Sequence, residues 1–296
     1  MEELKTRDNS IAISVVMGVY NIHDKDVLYS SIRSILDQTF TDFEFIIYND
    51  GSDEDVTEYL KNVSKLDSRI VLIGSEENKG LAFSLNACID KARGKYIARM
   101  DGDDISLPTR FAKQYEFMES HPEYAWCGTN AELINSEGAW GERIMAEVPS
   151  EKDFLRFSPF IHPSVMYRAD IFEHADKYAV SEETLRCEDY EIFMRLYSLG
   201  YRGYNIQEKL FKYREEKQSY KKRSMRFRMN EAKIRYRNFK KLHVLFPTGW
   251  IYVIRPVIGG FVPNGMISYM KRKESGYRHE RENGPKSGVL HTEAAE

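Results

Sequence analysis

Between Ile11 and Ser120, four short apolar runs alternate with four stretches of helical spacing, and few folds accept that order. The runs are Ile11 to Val19, Phe43 to Tyr48, Ile70 to Ile73 and Tyr96 to Met100, rich in β-branched residues as buried strands are. The intervening stretches, Asp26 to Asp37, Glu54 to Val63, Leu81 to Arg93 and Thr109 to Ser120, read as helices. Strand followed by helix in this rhythm predicts an α/β fold with a mostly parallel, Rossmann-like central sheet wound by right-handed crossovers. Ligands of such sheets bind just beyond the carboxyl ends of the strands. Val19-Tyr20-Asn21, Asp50, Asn78 and Asp101 fall near those ends.

The fourth run ends in Asp101-Gly102-Asp103-Asp104, three carboxylates around one glycine. Carboxylates this close repel one another unless a cation sits among them, and a hard divalent ion with oxygen ligands suits the set. Such an ion keeps positions for phosphate oxygens, which points to a metal-bound nucleotide diphosphate. The plain alternative is a solvated turn in which Asp104 or Ser106 caps the helix after Pro108. Asp50 could accept hydrogen bonds from a base edge and Tyr20 offers a ring face, although Asp50-Gly51-Ser52 taken alone is an ordinary turn. No glycine-rich phosphate loop follows the first strand, so metal and side chains must neutralise a diphosphate here.

In the second half, Tyr124 to Asn130 reads as a strand and Glu132 to Trp140 as a hairpin turning at Ser136-Glu137-Gly138. Asp189 begins the amphipathic run Tyr190 to Leu199, either as a base at a helix start or as its cap. His162 beside Pro163 is a candidate for diphosphate or acceptor contact, with a hydrogen-bonded structural role as the ordinary reading. Trp126 and Trp140 suit core packing better than sugar stacking. Gly203 to Tyr213 reads as a further strand.

Successive motifs together resemble the family 2 glycosyltransferases of the GT-A fold, and most closely those that build bacterial capsular, exopolysaccharide or lipopolysaccharide units. The residues that carry the likeness are Val19-Tyr20-Asn21, Asn49 to Asp53, Glu77 to Ala82, Arg99 to Asp104, Ile161 to Arg168 and Cys187 to Glu191. The resemblance implies that Asp50 recognises the base, Tyr20 lies along it, and Asn78 and Arg99 line the nucleotide pocket with Gly102 close by. It further implies that Asp101 approaches the ribose and metal, that Asp103 ligates Mg²⁺ or Mn²⁺, and that Asp189 is the general base, with Glu188 and His162 on the acceptor side. The activity implied is inverting transfer of a sugar, UDP-linked, to a hydroxyl of a glycan acceptor carried on a lipid. A nucleotidyltransferase and a non-catalytic interaction module are the alternatives.

The expected organisation is an N-terminal extension (1–10), a catalytic domain (11–215) with nucleotide (11–104) and acceptor (105–215) halves, a basic and apolar helical region (216–270) and a disordered tail (271–296). Net charge is only −3, yet between Lys217 and Lys241 Glu231 is the sole acid among many lysines and arginines. With the apolar stretch Trp250 to Pro263 beside it, this region fits either an interfacial segment on an anionic membrane or a strap packed on the domain. The overall acidic balance and the missing nucleic-acid motifs argue against RNA or DNA. Pro256 and Gly259-Gly260 are read as helix breakers, which excludes a spanning helix. Three scattered cysteines, Cys88, Cys127 and Cys187, give no disulfide or zinc pattern, and with the charged N-terminus they predict a cytoplasmic protein, peripheral at the inner face of the membrane.

Overall fold

The computed structural model describes residues 11–216 and 224–260. The expected extension 1–10, Lys221, Lys222 and Arg223 of the basic run, the end of the apolar stretch and the expected tail 271–296 lie outside the described residues.

The alternating half folds as its pattern predicts. Strands β1 (Ile11–Val19), β2 (Phe43–Asp50), β3 (Ile70–Ser75) and β4 (Gly94–Arg99) pair in parallel in the order β3-β2-β1-β4. Helices α1 (Lys25–Leu36), α2 (Glu54–Val63) and α3 (Leu81–Lys91) connect them. Asp24 and Asp53 cap α1 and α2 by accepting the Val27 and Val56 N–H groups at 3.1 Å. Side chains of β1 alternate between two cores. Ile13, Val15 and Met17 pack with Leu28, Ile32, Val56 and Leu60, whereas Val16 joins Leu85, Cys88 and Ile89 on the other face.

The second half extends the same sheet with mixed polarity. β8 (Met166–Arg168) pairs antiparallel with β4 and with β6 (Trp126–Asn135), and β6 runs parallel to β9 (Gly203–Arg214). β5 (Ile105–Ser106) borders β9, and β7 (Gly138–Arg143) pairs with β6. The strand and hairpin expected as separate elements are therefore one long β6 turning into β7. β8 was invisible to periodicity because three residues are too short to show a period. Helices α4 (Arg110–Ser120), α5 (Ile171–His174) and α6 (Glu188–Ser198) cover this half.

Two local expectations are corrected. Neither Asp104 nor Ser106 caps α4: its N-cap is Thr109, without a side-chain bond, while Asp104 accepts the Arg214 N–H and Ser106 lies in β5. Nor does Pro256 break the apolar segment, since α8 (Trp250–Ile258) runs through it and folds back on α7 (Met225–Lys241). Pro256 is buried in that contact, and its carbonyl accepts from Arg228 at 2.8 Å, so packing offsets the missing donor. None of the described helices is long and apolar enough to cross a membrane.

Candidate active site

Where β1, β2 and β4 end, the loops brace one another. Asn21, in the left-handed region at φ 48°, donates its backbone N–H to Ser52 and accepts the Asp53 N–H at 2.9 Å, tying the end of β1 to that of β2. Tyr20 beside it is half exposed and unburdened by packing, whereas the Val19 side chain is buried in the core and leaves only backbone for a ligand. Asp50 is buried, and its two oxygens accept the N–H groups of Lys79 and Gly80 at 2.8 Å each. That pair of bonds folds the 76–80 loop over the strand end and leaves Asn78 exposed at its tip. Gly51 makes the approach feasible: at φ 68° a Cβ there would stand 2.4 Å from the Glu77 carbonyl carbon.

Asp101, Asp103 and Asp104 each bring one carboxylate oxygen within 4.8 Å of the others. Three hard oxygen donors at that spacing fit a divalent cation such as Mg²⁺ or Mn²⁺. Asp104 strengthens the fit, because its Oδ2 is buried with no hydrogen-bond partner in the protein. The loop is held from outside: Ser31 donates to the Asp101 carbonyl at 2.7 Å, and Arg214 Nε donates to the Asp103 carbonyl at 2.9 Å. A side chain at Gly102 would meet Ile22, 2.6 Å away. Crowding is visible in the acidities. Loss of water and the Asp101 charge push Asp103 up to about 6 although the residue reaches the surface, and burial with both neighbours raises Asp104 well above the carboxylate range.

Arg99 lies beneath this loop, 2% exposed, with its guanidinium 2.5 Å from the Asp101 carboxylate. Burial alone would lower its pKa, and Asp101 beside it reverses the sign. Its Nε and Nη1 hydrogens have no acceptor in the protein. The charges of Asp101 and Asp189 both act on the buried Tyr178 hydroxyl, and those of Asp189 and Arg99 both act on Tyr167 and Glu188. The metal-type cluster and Asp189 therefore share one electrostatic neighbourhood.

Asp189 sits in the first turn of α6 and is not its cap; the N-cap is Cys187, which makes no side-chain bond. Glu188 next to it is raised by burial and by the Asp189 charge. His162 is buried with Nε2 2.7 Å from the Tyr178 hydroxyl, and burial with the Arg99 charge holds it neutral, well below 6.5. Trp126 is enclosed by Phe160, Phe193 and Tyr197 in the core. Cys88, Cys127 and Cys187 are all buried. Sequence reasoning carried Asp104 only as one of the clustered carboxylates, and it missed Arg214 as the clamp on the loop and Tyr178 as the group joining His162 to Tyr167.

Comparison with known proteins gives the family and the fold. Residues 14–175 match the model of Glycosyl transferase family 2. The chain is 35% identical over 275 residues to the putative glycosyltransferase EpsE of Bacillus subtilis, covering 90% of this chain and 98% of that protein. It is 33% identical to the O-antigen biosynthesis glycosyltransferase WbnJ of Escherichia coli, covering 73% and 84%. Among solved structures, S. aureus TarS 1-349 in complex with UDP-GlcNAc superposes with a TM-score of 0.62 at 16% identity, covering 89% and 88%. The mannosyltransferase PcManGT from Pyrobaculum calidifontis in complex with GDP-Man and Mn²⁺ gives 0.57 at 14%, covering 91% and 82%. The likeness in structure establishes the GT-A fold, and the matching family model and relatives establish that this chain belongs to glycosyltransferase family 2.

Proposed function

We propose that this glycosyltransferase moves a sugar from a UDP-sugar to a hydroxyl of a lipid-linked glycan in bacterial polysaccharide synthesis, with inversion, at the inner face of the cell membrane. The observation that carries the reading is the convergence of three carboxylates in a neighbourhood whose buried Tyr178 also feels the charge of a fourth, Asp189. Relatives named for O-antigen and amylovoran biosynthesis, and neighbours solved with UDP-GlcNAc or with GDP-Man and Mn²⁺, support the substrate class.

In this reading Tyr20 lies along the base, Asp50 meets its edge, and Asn78 and Arg99 line the nucleotide. The two free N–H groups of Arg99 suit a donor oxygen. A cation on Asp101, Asp103 and Asp104 supplies charge neutralisation for the diphosphate. Asp189 accepts the proton of the acceptor hydroxyl as its oxygen bonds the anomeric carbon from the face opposite the diphosphate. The bond from that carbon to the diphosphate oxygen breaks, and the electron pair leaves with the nucleotide. Glu188 beside Asp189, its pKa raised by burial and by the Asp189 charge, lies on the acceptor side. Neutral His162 would act through Tyr178 to set the acceptor wall. Nucleotidyl transfer lacks support, because β1 runs into Tyr20-Asn21 and not into a basic glycine-rich loop.

Calorimetry should detect UDP binding with Mn²⁺ present and its loss with EDTA; unchanged affinity after chelation would remove the acidic cluster from the reaction. A panel of nucleotide sugars, scored by released nucleotide, identifies the donor. Asp189→Asn should keep UDP binding and lose roughly 10²–10⁴-fold in transfer. Full transfer by that variant rules Asp189 out as the base.

A further inference from the structure

α8 carries two apolar rows with different fates. Tyr252 and Val253 pack inward, and Val253 and Val257 wall a groove of about 460 Å³ against Met229 and Tyr236 of α7. Trp250, Ile251, Ile254 and Ile258 recur at helical spacing on the adjacent face and are 41% to 56% exposed, with Phe246 at 77% just before them. Five large apolar side chains in one ridge exceed what scattered surface residues explain.

Next to α8, α7 carries one acid, Glu231, against seven bases, of which Arg226, Lys233, Arg237, Lys240 and Lys241 are exposed, the two arginines being paired with acids. The same helix grips the loop that leads to the base. Arg226 pairs with Glu182, Arg237 with Glu183 at 2.6 Å, Asn230 donates to the Glu182 carbonyl at 3.0 Å, and Phe227 lies under Arg186. Three residues beyond Arg186 stands Asp189. The ridge and the basic face thus belong to the acceptor side of the molecule.

We propose that α7 and α8 form a docking surface for an anionic lipid bilayer. The ridge enters the acyl boundary, Lys233, Lys240 and Lys241 meet phosphate headgroups, and the Asp189 loop is held toward acceptors presented from the bilayer. Charge selects this occupant: a second copy packed ridge to ridge would bring two basic helices together, whereas an anionic surface complements them. The proposal rests on the glycosyl-transfer reading only for the acceptor; the docking itself does not need it.

The test is sedimentation of the full chain with vesicles of phosphatidylcholine, alone or mixed with phosphatidylglycerol. Binding is expected to the anionic vesicles only, and to fall with salt. Ile254→Glu with Ile258→Glu should reduce it by about tenfold or more, and Lys233→Glu with Lys240→Glu should abolish the preference for anionic lipid. UDP binding should be unchanged in both. Ile254→Ser with Ile258→Ser gives the same reading should the glutamates prevent folding. Equal pelleting with neutral and anionic vesicles, pelleting indifferent to the ridge variants, or a dimer that those variants dissolve would each overturn the proposal. Native chain that binds vesicles but not UDP would overturn the transferase reading and leave the docking surface standing.

Discussion

Asp50 was legible in the sequence as a carboxylate at a strand end, but its neighbours were not. Both oxygens accept backbone N–H groups from a loop about thirty residues downstream, so whatever it offers a base is fixed by that loop. Gly51 is the residue on which the arrangement turns. Alanine there meets a positive φ and the Glu77 backbone together, and Gly51→Ala should cost roughly 1–3 kcal/mol and weaken UDP binding, read by urea unfolding and calorimetry. Unaltered stability would mean that the 76–80 loop moves aside freely. His162 gives a second test. Burial and Arg99 hold its folded pKa well below 6.5, so the unfolded chain takes up a proton near 6.5 that the folded chain refuses. Its contribution to stability is full above that pH and is lost as pH falls below it, by up to about 1.4 kcal/mol per unit. Melting followed from pH 8 to pH 5 should show this slope, and His162→Gln should flatten it; equal slopes would assign the effect to other groups. A histidine next to a proline announces none of this, because the charge responsible lies on β4.

The elements of the parallel half were readable because each carries its own signal: a β-branched run, an aspartate cap, a helical stripe. How they are bolted together was not. Ser14 on β1 donates to Glu44 on β2 at 2.6 Å, and Glu44 accepts the Arg93 backbone N–H and guanidinium just before β4. The Glu44 carboxylate is thus a staple across three strands, in a residue that periodicity alone would set facing solvent. Glu44→Ala takes the acceptor from the buried Ser14 hydroxyl, while the Arg93 N–H keeps Ser14 Oγ at 3.2 Å. Discounted for the half-exposed arginine, the loss should be about 1–3 kcal/mol by urea unfolding, with UDP binding intact because the staple lies at the opposite end of the strands. A loss below about 0.5 kcal/mol would show that water replaces the staple. In the mixed half of the sheet, β8 and β5 showed no strand pattern of their own. Strands this short exist only because β4, β6 and β9 offer edges to pair with.

At the scale of the whole molecule, donor and cation should stabilise the chain as one ligand set, since their candidate ligands come from strands far apart in sequence. UDP with Mn²⁺ at about a hundredfold excess over the dissociation constant should add about 2.7 kcal/mol, seen as a melting shift of a few degrees. EDTA or Asp103→Asn should erase the shift; a shift that survives both would place the cation elsewhere. The sequence by itself determined the parallel half of the sheet and which residues stand at its strand ends, and it offered the acidic motif and Asp189 as the candidate chemistry. These are local properties, written in periodicity, caps and clustered charge, and they survive without knowledge of neighbours. Tertiary structure alone decided that Asp103 and Asp104 are both tied to Arg214, that Arg99 and Asp189 act on the same buried Tyr167, and that the ridge of α8 faces outward. Each of those depends on which segments distant in the chain meet, and on the water excluded where they do, which no single stretch of residues records.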